Sequence, residues 1–397
     1  MKSAEESHHG FGVKRQILAT RSSPYYQIFG VFFALFFVSG VAQERIPSEN
    51  KPREIPVYQG VRTEQPEIQR VPLQMLEGDD IRFHQIHGVN SLSQTRATPT
   101  VQDRLGFLWF GTQDGLDRFD GYKFKVFRHV PGQPGSLSGV YIRQLFIDHT
   151  GALWVGCDRA LDKFDPVTET FTHFRIGRKG TNESFGPAID IKEDRNGKLW
   201  IATLKGLFML DPATGQTIRF THDPKDPSSI SNDGLNFIDV DRQGTFWVSN
   251  FSGLDAFDRN TGKVTRHIAM DGWFTFHEDK FGTLWIAGNA SQCPLAVLDR
   301  NDNRLTCYSI YEGAHPVTSI ASTYTMLESR DGTMWFGTEG GGLLRYDREH
   351  NRLVCYKNHP ENIESLGANS VISLFEDGEG QLLRIGRPLS GRESNCF

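Results

Sequence analysis

The chain has 397 residues, 38% of them hydrophobic and 23% charged, and carries a formal net charge of −5. That balance speaks against nucleic acid as a partner. The 40 Gly and 18 Pro, with no long apolar stretch of helical period, exclude a helical bundle and point to many turns.

In chain order, residues 1–42 come first, with Lys14, Arg15 and Arg21 ahead of an apolar run from Ile28 to Val38. Gly40-Val41-Ala42 supplies small residues for cleavage, so the segment reads as a secretory signal peptide. An uncleaved signal anchor, extended from Tyr25 to Val41, is the alternative. Either way the rest of the chain is expected to be exported, periplasmic or anchored facing the periplasm. Loss of 1–42, with four basic and two acidic residues, takes the net charge from −5 to −7. Residues 43–80 hold Pro47, Pro52, Pro56, Pro66 and Pro72 among many charges and read as a flexible tether.

From residue 81 to 397 one phrase recurs, Asp-x-x-Gly-x-x-Trp. Its tryptophans are Trp109, Trp154, Trp200, Trp247, Trp285 and Trp335, spaced 38 to 50 residues apart. Its aspartates are Asp103, Asp148, Asp194, Asp241 and Asp279, with Ser329 in the sixth unit. Asp-x-x-Gly is turn chemistry, since glycine takes positive φ cheaply and the carboxylate accepts from nearby backbone N–H groups. Each unit reads as four strands: one ending at the Asp, one carrying the Trp, one ending in a pair such as Phe119-Asp120, and a fourth such as Phe124–Phe127. A period in the forties built of short strands predicts an all-β fold, a β-propeller of four-stranded blades. The tryptophans and aspartates are then blade structure.

A seventh unit begins at Val371 but has Leu383 where the tryptophan belongs, and after about residue 380 the pattern dissolves. Ile81–Ile86 resembles a fourth strand without its blade. The expectation is seven blades, the last incomplete and closed by this N-terminal strand, which leaves no open edge. The five cysteines do not read as a disulfide framework. Cys307 and Cys355 occupy equivalent outer positions too far apart to bond. Cys157, Cys293 and Cys396 lack an obvious partner, so buried thiols are expected. No Cys/His spacing suggests zinc, and no metal or cofactor is expected.

Candidate ligand positions lie in loops. Three connections share a form: His129-x-Pro131 with Ser136-Leu137-Ser138, His222-x-Pro224 with Ser229-Ile230-Ser231, and His359-Pro360 with Ser365-Leu366-Gly367. They would ring a channel mouth, although shared residues more often build a blade than read a ligand. Positions that break the repeat are better candidates. These are Trp273 and, in the insertion Asn289-Ala290-Ser291-Gln292, Asn289 and Gln292; an aromatic beside amides suits a sugar.

The phrases Gln102-Asp103-Arg104-Leu105-Gly106-Phe107-Leu108-Trp109-Phe110-Gly111-Thr112 and Thr333-Met334-Trp335-Phe336-Gly337-Thr338 resemble the two-component regulator propeller family over about residues 81–385. That resemblance implies the extracytoplasmic sensor of a hybrid histidine kinase or diguanylate cyclase, with further repeats and an output domain downstream. The chain then reads as a sensor cut short or frame-shifted, lacking its output domain. The partners to expect are a small ligand, with an oligosaccharide as one candidate, and a second copy in a homodimer. The rival from another class is an enzyme, since the repeat is also similar to that of streptogramin lyases, which use a histidine base and Mg²⁺. Here His277 beside Glu278 and Asp279 is the candidate, although the turn motif already claims Asp279. A protein-interaction ring is the third reading.

Overall fold

The structure is a computed structural model that describes residues 61–84, 92–93, 97–174, 186–290, 293–317, 320 and 322–387. The signal segment 1–42, residues 43–60 of the tether, Gln292 and Cys396 lie outside these residues. Every described element is a strand.

The chain opens with β1 (Arg62–Glu64) and β2 (Glu67–Glu77). A first sheet follows, β3 (Ala97–Gln102), β4 (Leu108–Thr112), β5 (Gly115–Phe119) and β6 (Phe124–Phe127). The second holds β7 (Ile142–Ile147), β8 (Leu153–Cys157), β9 (Leu161–Asp165) and β10 (Thr170–Phe174). The third holds β11 (Ala188–Glu193), β12 (Leu199–Thr203), β13 (Gly206–Leu210) and β14 (Thr217–Phe220). The fourth has β15 (Leu235–Val240), β16 (Phe246–Asn250), β17 (Gly253–Asp258) and β18 (Lys263–Ala269). The fifth has β19 (Phe274–Glu278), β20 (Leu284–Ala290), β21 (Cys293–Asp299) and β22 (Arg304–Glu312), with a short β23 (His315–Pro316). The sixth has β24 (Thr323–Glu328), β25 (Met334–Thr338), β26 (Leu343–Asp347) and β27 (Arg352–Tyr356). Last come β28 (Ser370–Glu376) and β29 (Leu382–Arg387), a pair alone among the described residues.

Within each sheet the strands pair antiparallel in chain order. The second strands β4, β8, β12, β16 and β25 are buried at every position, so both of their faces meet neighbouring sheets. The apolar core is divided accordingly, one cluster per sheet boundary. Trp109, Leu145 and Val155 join the first two sheets, and Trp285, Phe336 and Leu344 join the fifth and sixth. Ile385 of β29 shares a cluster with Leu108, Phe110 and Phe124 of the first sheet. The first strands also touch in sequence, and β28 touches β3. The result is a propeller-like, near-closed array.

Two expectations are corrected. The tether reading fails for residues 62–77, because β1 pairs parallel to β18, and β2 pairs parallel first to β22 and then to β27. The prolines hide an alternation, Val71, Leu73, Met75, that turns Leu73 and Met75 into the core at 1% exposure each. This strap fuses the fifth and sixth sheets into one. The closing strand expected at Ile81–Ile86 is not strand over residues 81–84, and the remainder lies outside the described residues. Ile81 and Phe83 do pack between the sixth sheet and the final pair, with Phe83 edge-on to Tyr356.

The cysteine expectation is also corrected. Cys293 and Cys307 form a disulfide, with Cα atoms 5.6 Å apart. The insertion after Ala287 brings Cys293 to the start of β21, against the outer strand β22, a proximity that repeat alignment does not show. Cys157 and Cys355 are free and buried, as expected.

Candidate functional site

The repeated aspartates are consumed by structure. In each Asp-x-x-Gly turn one carboxylate oxygen accepts backbone N–H groups, as Asp148 does from Thr150 and Ala152 at 2.9 Å each. The other accepts the indole N–H of the tryptophan six residues on. The distances are 2.8 Å for Trp109 to Asp103, 2.9 Å for Trp154 to Asp148, 3.0 Å for Trp200 to Asp194, 2.8 Å for Trp247 to Asp241 and 2.9 Å for Trp285 to Asp279. Trp335 donates instead to Ser329 Oγ at 3.3 Å. A buried indole N–H needs such an acceptor. Asp279 also takes Arg348, which leaves it no part in chemistry beside His277.

Antiparallel order puts the loops entering the first strands and the turns leaving the second strands at one end of the sheets. His129, His222, His359, Trp273 and Asn289 all belong to that end. His129 Nδ1 meets the Leu137 carbonyl at 2.6 Å and His222 Nδ1 the Ile230 carbonyl at 2.9 Å. In the third loop Asn358, not His359, fills this role, donating to the Leu366 carbonyl at 2.5 Å. Asn358 is the residue two before the proline, as His129 and His222 are. His359 meets Glu77 of the strap at 2.7 Å instead. The loop serines join in: Ser136 Oγ accepts the Val130 amide and Ser229 Oγ the Asp223 amide. Trp273 stays 37% exposed between β18 and β19.

A second device holds these loops. Buried Asp117, Asp162 and Asp255 on the third strands accept the amides of Ser93, Ser138 and Ser231 at 2.7, 2.7 and 2.8 Å. His173 and His267 buttress Asp162 and Asp255 from the fourth strands, at 2.7 and 2.6 Å.

The inner strands carry a polar chain that repeat reading missed. Gln144 on β7 donates to Asp190 on β11 at 2.8 Å. Lys192, also on β11, meets Asp239 of β15 at 3.3 Å. His277 of β19 lies 3.7 Å from Asp239 and 2.9 Å from Glu328 of β24. Burial raises Asp190 to about 6, against the pull of Lys192. For Lys192 burial works downward, but Asp190 and Asp239 outweigh it and the net shift is upward. Burial likewise opposes the rise at His277, which Asp239 and Glu328 impose. Perturbed groups so arranged mark a functional-site candidate. The signal was present in the sequence: two residues before the turn residue stand Lys192, Asp239 and His277, where other units have Val101, Phe146 and Leu327. Among the described residues no cluster of three His, Cys, Asp or Glu side chains could hold a metal ion, and no helix is long and apolar enough to cross a membrane.

No family model matches the chain. Histidine kinase P4 of Formosa agariphila is 41% identical over 56 residues, which is 14% of this chain and 4% of that protein. Among solved structures, the extracellular domain of BT3049 from B. thetaiotaomicron, assigned to the hybrid two-component systems, superposes with a TM-score of 0.62 at 22% identity, over 75% of this chain and 39% of that one. That of BT4673 from the same organism gives 0.57 at 21%, over 78% and 41%. A streptogramin B lyase gives 0.52 at 16%, over 75% and 92%. The chain thus spans about two fifths of the length of the extracellular-domain structures it matches. Its fold is similar to that of extracellular domains of two-component systems, and more distantly to that of a lyase.

Proposed function

We propose that the chain is the extracytoplasmic ligand-sensing region of a bacterial signal-transduction regulator, a seven-bladed propeller that binds without catalysing. The observation that carries this reading is the fold likeness to the BT3049 extracellular domain across three quarters of the chain. Three further features support it: the export signal read in residues 1–42, the loop end with its exposed Trp273, and the seven first strands that touch in succession. The ligand class it favours is a polar small molecule such as an oligosaccharide, held by Trp273 and the 289–292 insertion.

The test is a thermal-shift panel of plant and algal oligosaccharides on wild type and on Trp273→Ala. A ligand of the native state raises the melting temperature by mass action. A shift in wild type that is lost in Trp273→Ala supports the reading, and no shift across the panel contradicts it.

The lyase is the second reading, favoured by the 92% coverage of the streptogramin B lyase structure. Against it, Asp279 is sequestered by Trp285 and Arg348, and His277 is fixed between two carboxylates. Linearisation of a streptogramin by the chain with Mg²⁺, followed by mass spectrometry and abolished by chelation, is the outcome that would establish it.

A further inference from the structure

Three of the turns between third and fourth strands place an arginine directly after the turn aspartate: Arg259, Arg300 and Arg348. Arg300 reaches back to Asp241 of the preceding sheet and to Glu278 at 2.7 Å. Arg348 reaches Asp279 in the same manner. Each therefore plugs the groove between its own sheet and the one before it.

Arg259 behaves differently. Its guanidinium lies 5.0 Å from the centroid of Phe246, and among the described residues it has no ion-pair partner. One position differs with it. The residue before the repeat tryptophan is Phe246 in the fourth sheet, but Leu284 in the fifth and Met334 in the sixth. The Phe246 ring holds the cation on its own sheet, whereas the ring beneath Arg348, Phe281 at 4.1 Å, belongs to the preceding sheet beside Asp279. Asp194, the counterpart of Asp241 and Asp279, is left to Trp200 and the amides of Asn196 and Lys198.

The groove between the third and fourth sheets is consequently open, with a volume of about 790 Å³. Phe220 and the half-exposed Ile218 form part of its wall. Asp258 at its rim is occupied, accepting the Asn260 amide at 2.9 Å and the Thr261 hydroxyl at 2.8 Å. Arg195 and Lys198 also line the groove, but the Arg259 guanidinium is the fork set over its aromatic wall, and a planar carboxylate is the partner that geometry suits. The equivalent groove between the first and second sheets has Pro166 at this position, and its Arg104 guanidinium donates to the His149 carbonyl.

We propose that this groove is a binding site for a small carboxylate with an apolar or planar body. Arg259 takes the carboxylate, Phe220 and Ile218 take the body, and Phe246 keeps Arg259 from closing the groove onto Asp194. The site lies at the opposite end of the sheets from the loops invoked for sensing, so either reading can fail without the other.

The test is ligand-observed ¹⁹F NMR of the full chain with 4-fluorobenzoate and its neutral counterpart 4-fluorobenzamide. The expected result is that the benzoate binds about tenfold more tightly than the benzamide, the worth of a charge-assisted hydrogen bond. Arg259→Gln should shrink that difference, and Phe246→Leu should weaken benzoate binding by releasing Arg259 onto Asp194. Equal binding of the two probes, binding of neither, or undiminished benzoate binding by Arg259→Gln overturns the proposal. Should Arg259→Gln fail to fold, Arg259→Lys keeps the charge without the fork, and undiminished binding there overturns it equally.

Discussion

The amide of Gly378, in the turn between β28 and β29, donates to the side-chain oxygen of Gln102 at the end of β3, 2.6 Å away. It joins the last sheet to the first, and the same link recurs elsewhere in the array. His149 N donates to Glu193, Arg242 N to Glu278, Lys280 N to Glu328 and Arg330 N to Glu376, each at 2.7 or 2.8 Å. Each of these five turns is tied to the residue just before the next turn, and Gln102 receives the final tie although, among the described residues, β29 has no further partner strand.

Closure through the inner strands means that the final pair belongs to the core. Ile385→Ala, at a site 4% exposed and shared with the first sheet, should cost about 2–5 kcal/mol in urea unfolding. Gln102→Ala should cost about 1 kcal/mol and speed hydrogen exchange at the Gly378 amide. Unfolding unaffected by Ile385→Ala would mean that the last pair is an appendage.

The indole-to-carboxylate bonds set up a graded comparison. Trp154→Phe keeps a ring but strands a carboxylate oxygen of the buried Asp148, an expected loss of about 1–3 kcal/mol beyond the change in volume. Trp335→Phe removes only a longer contact to a serine hydroxyl and should cost less. Equal losses in the two variants would deny the bond its role.

For the strap the contrast with a tether is direct. Leu73→Ala should destabilise the chain by about 2–5 kcal/mol because Leu73 is a core residue, whereas a substitution in a tether would change nothing. Thermal unfolding of the variant decides between them. The Cys293–Cys307 disulfide closes a short loop, with a sequence separation of 14, and should contribute about 3 kcal/mol. Reductant should lower the melting temperature of wild type and leave that of the Cys293→Ser, Cys307→Ser double variant in place.

Asp190 gives the chain a pH signature. Its carboxyl titrates at about 6 when folded, against 3.8 as the ordinary value. Between these values the folded chain holds a proton that the unfolded chain has released, so stability falls as pH rises through this window and the loss is complete above it. The span is about 2–3 kcal/mol. Asp190→Asn should flatten that slope, so that the variant gains on wild type between pH 4 and pH 7 in urea unfolding. His277, with its raised pKa, contributes stability that is present below 6.5 and lost as pH rises through the folded value. A slope that persists unchanged in Asp190→Asn would place the titration elsewhere.

The repeat was legible because each unit solves the same local problem: a turn at Asp-x-x-Gly, then a strand buried on both faces around the tryptophan. What spacing could not show is where side chains point once the strands fold back. Asp103 and Trp109 are six residues apart in sequence, yet only the hairpin aims the carboxylate at the indole. His359 looked equivalent to His129 by residue type, but position relative to the proline decides, and Asn358 holds that place. The strap escaped notice because its prolines and charges outweighed a three-residue alternation. The pairing of Cys293 with Cys307 depends on an insertion that shifts the unit off its period. The chain of Lys192, Asp239 and His277 shows in the sequence only as inner positions that break the apolar pattern, where other units have Val101, Phe146 and Leu327.

Binding without chemical change is the heart of the proposed function, and it meets its most direct test in the fate of a ligand. An oligosaccharide that raises the melting temperature should be incubated overnight with the chain and Mg²⁺, then recovered and analysed by mass spectrometry. The expected result is recovery at unchanged mass and in full amount, whereas a product of altered mass that accumulates with time, absent without the protein, would contradict a sensor and favour an enzyme.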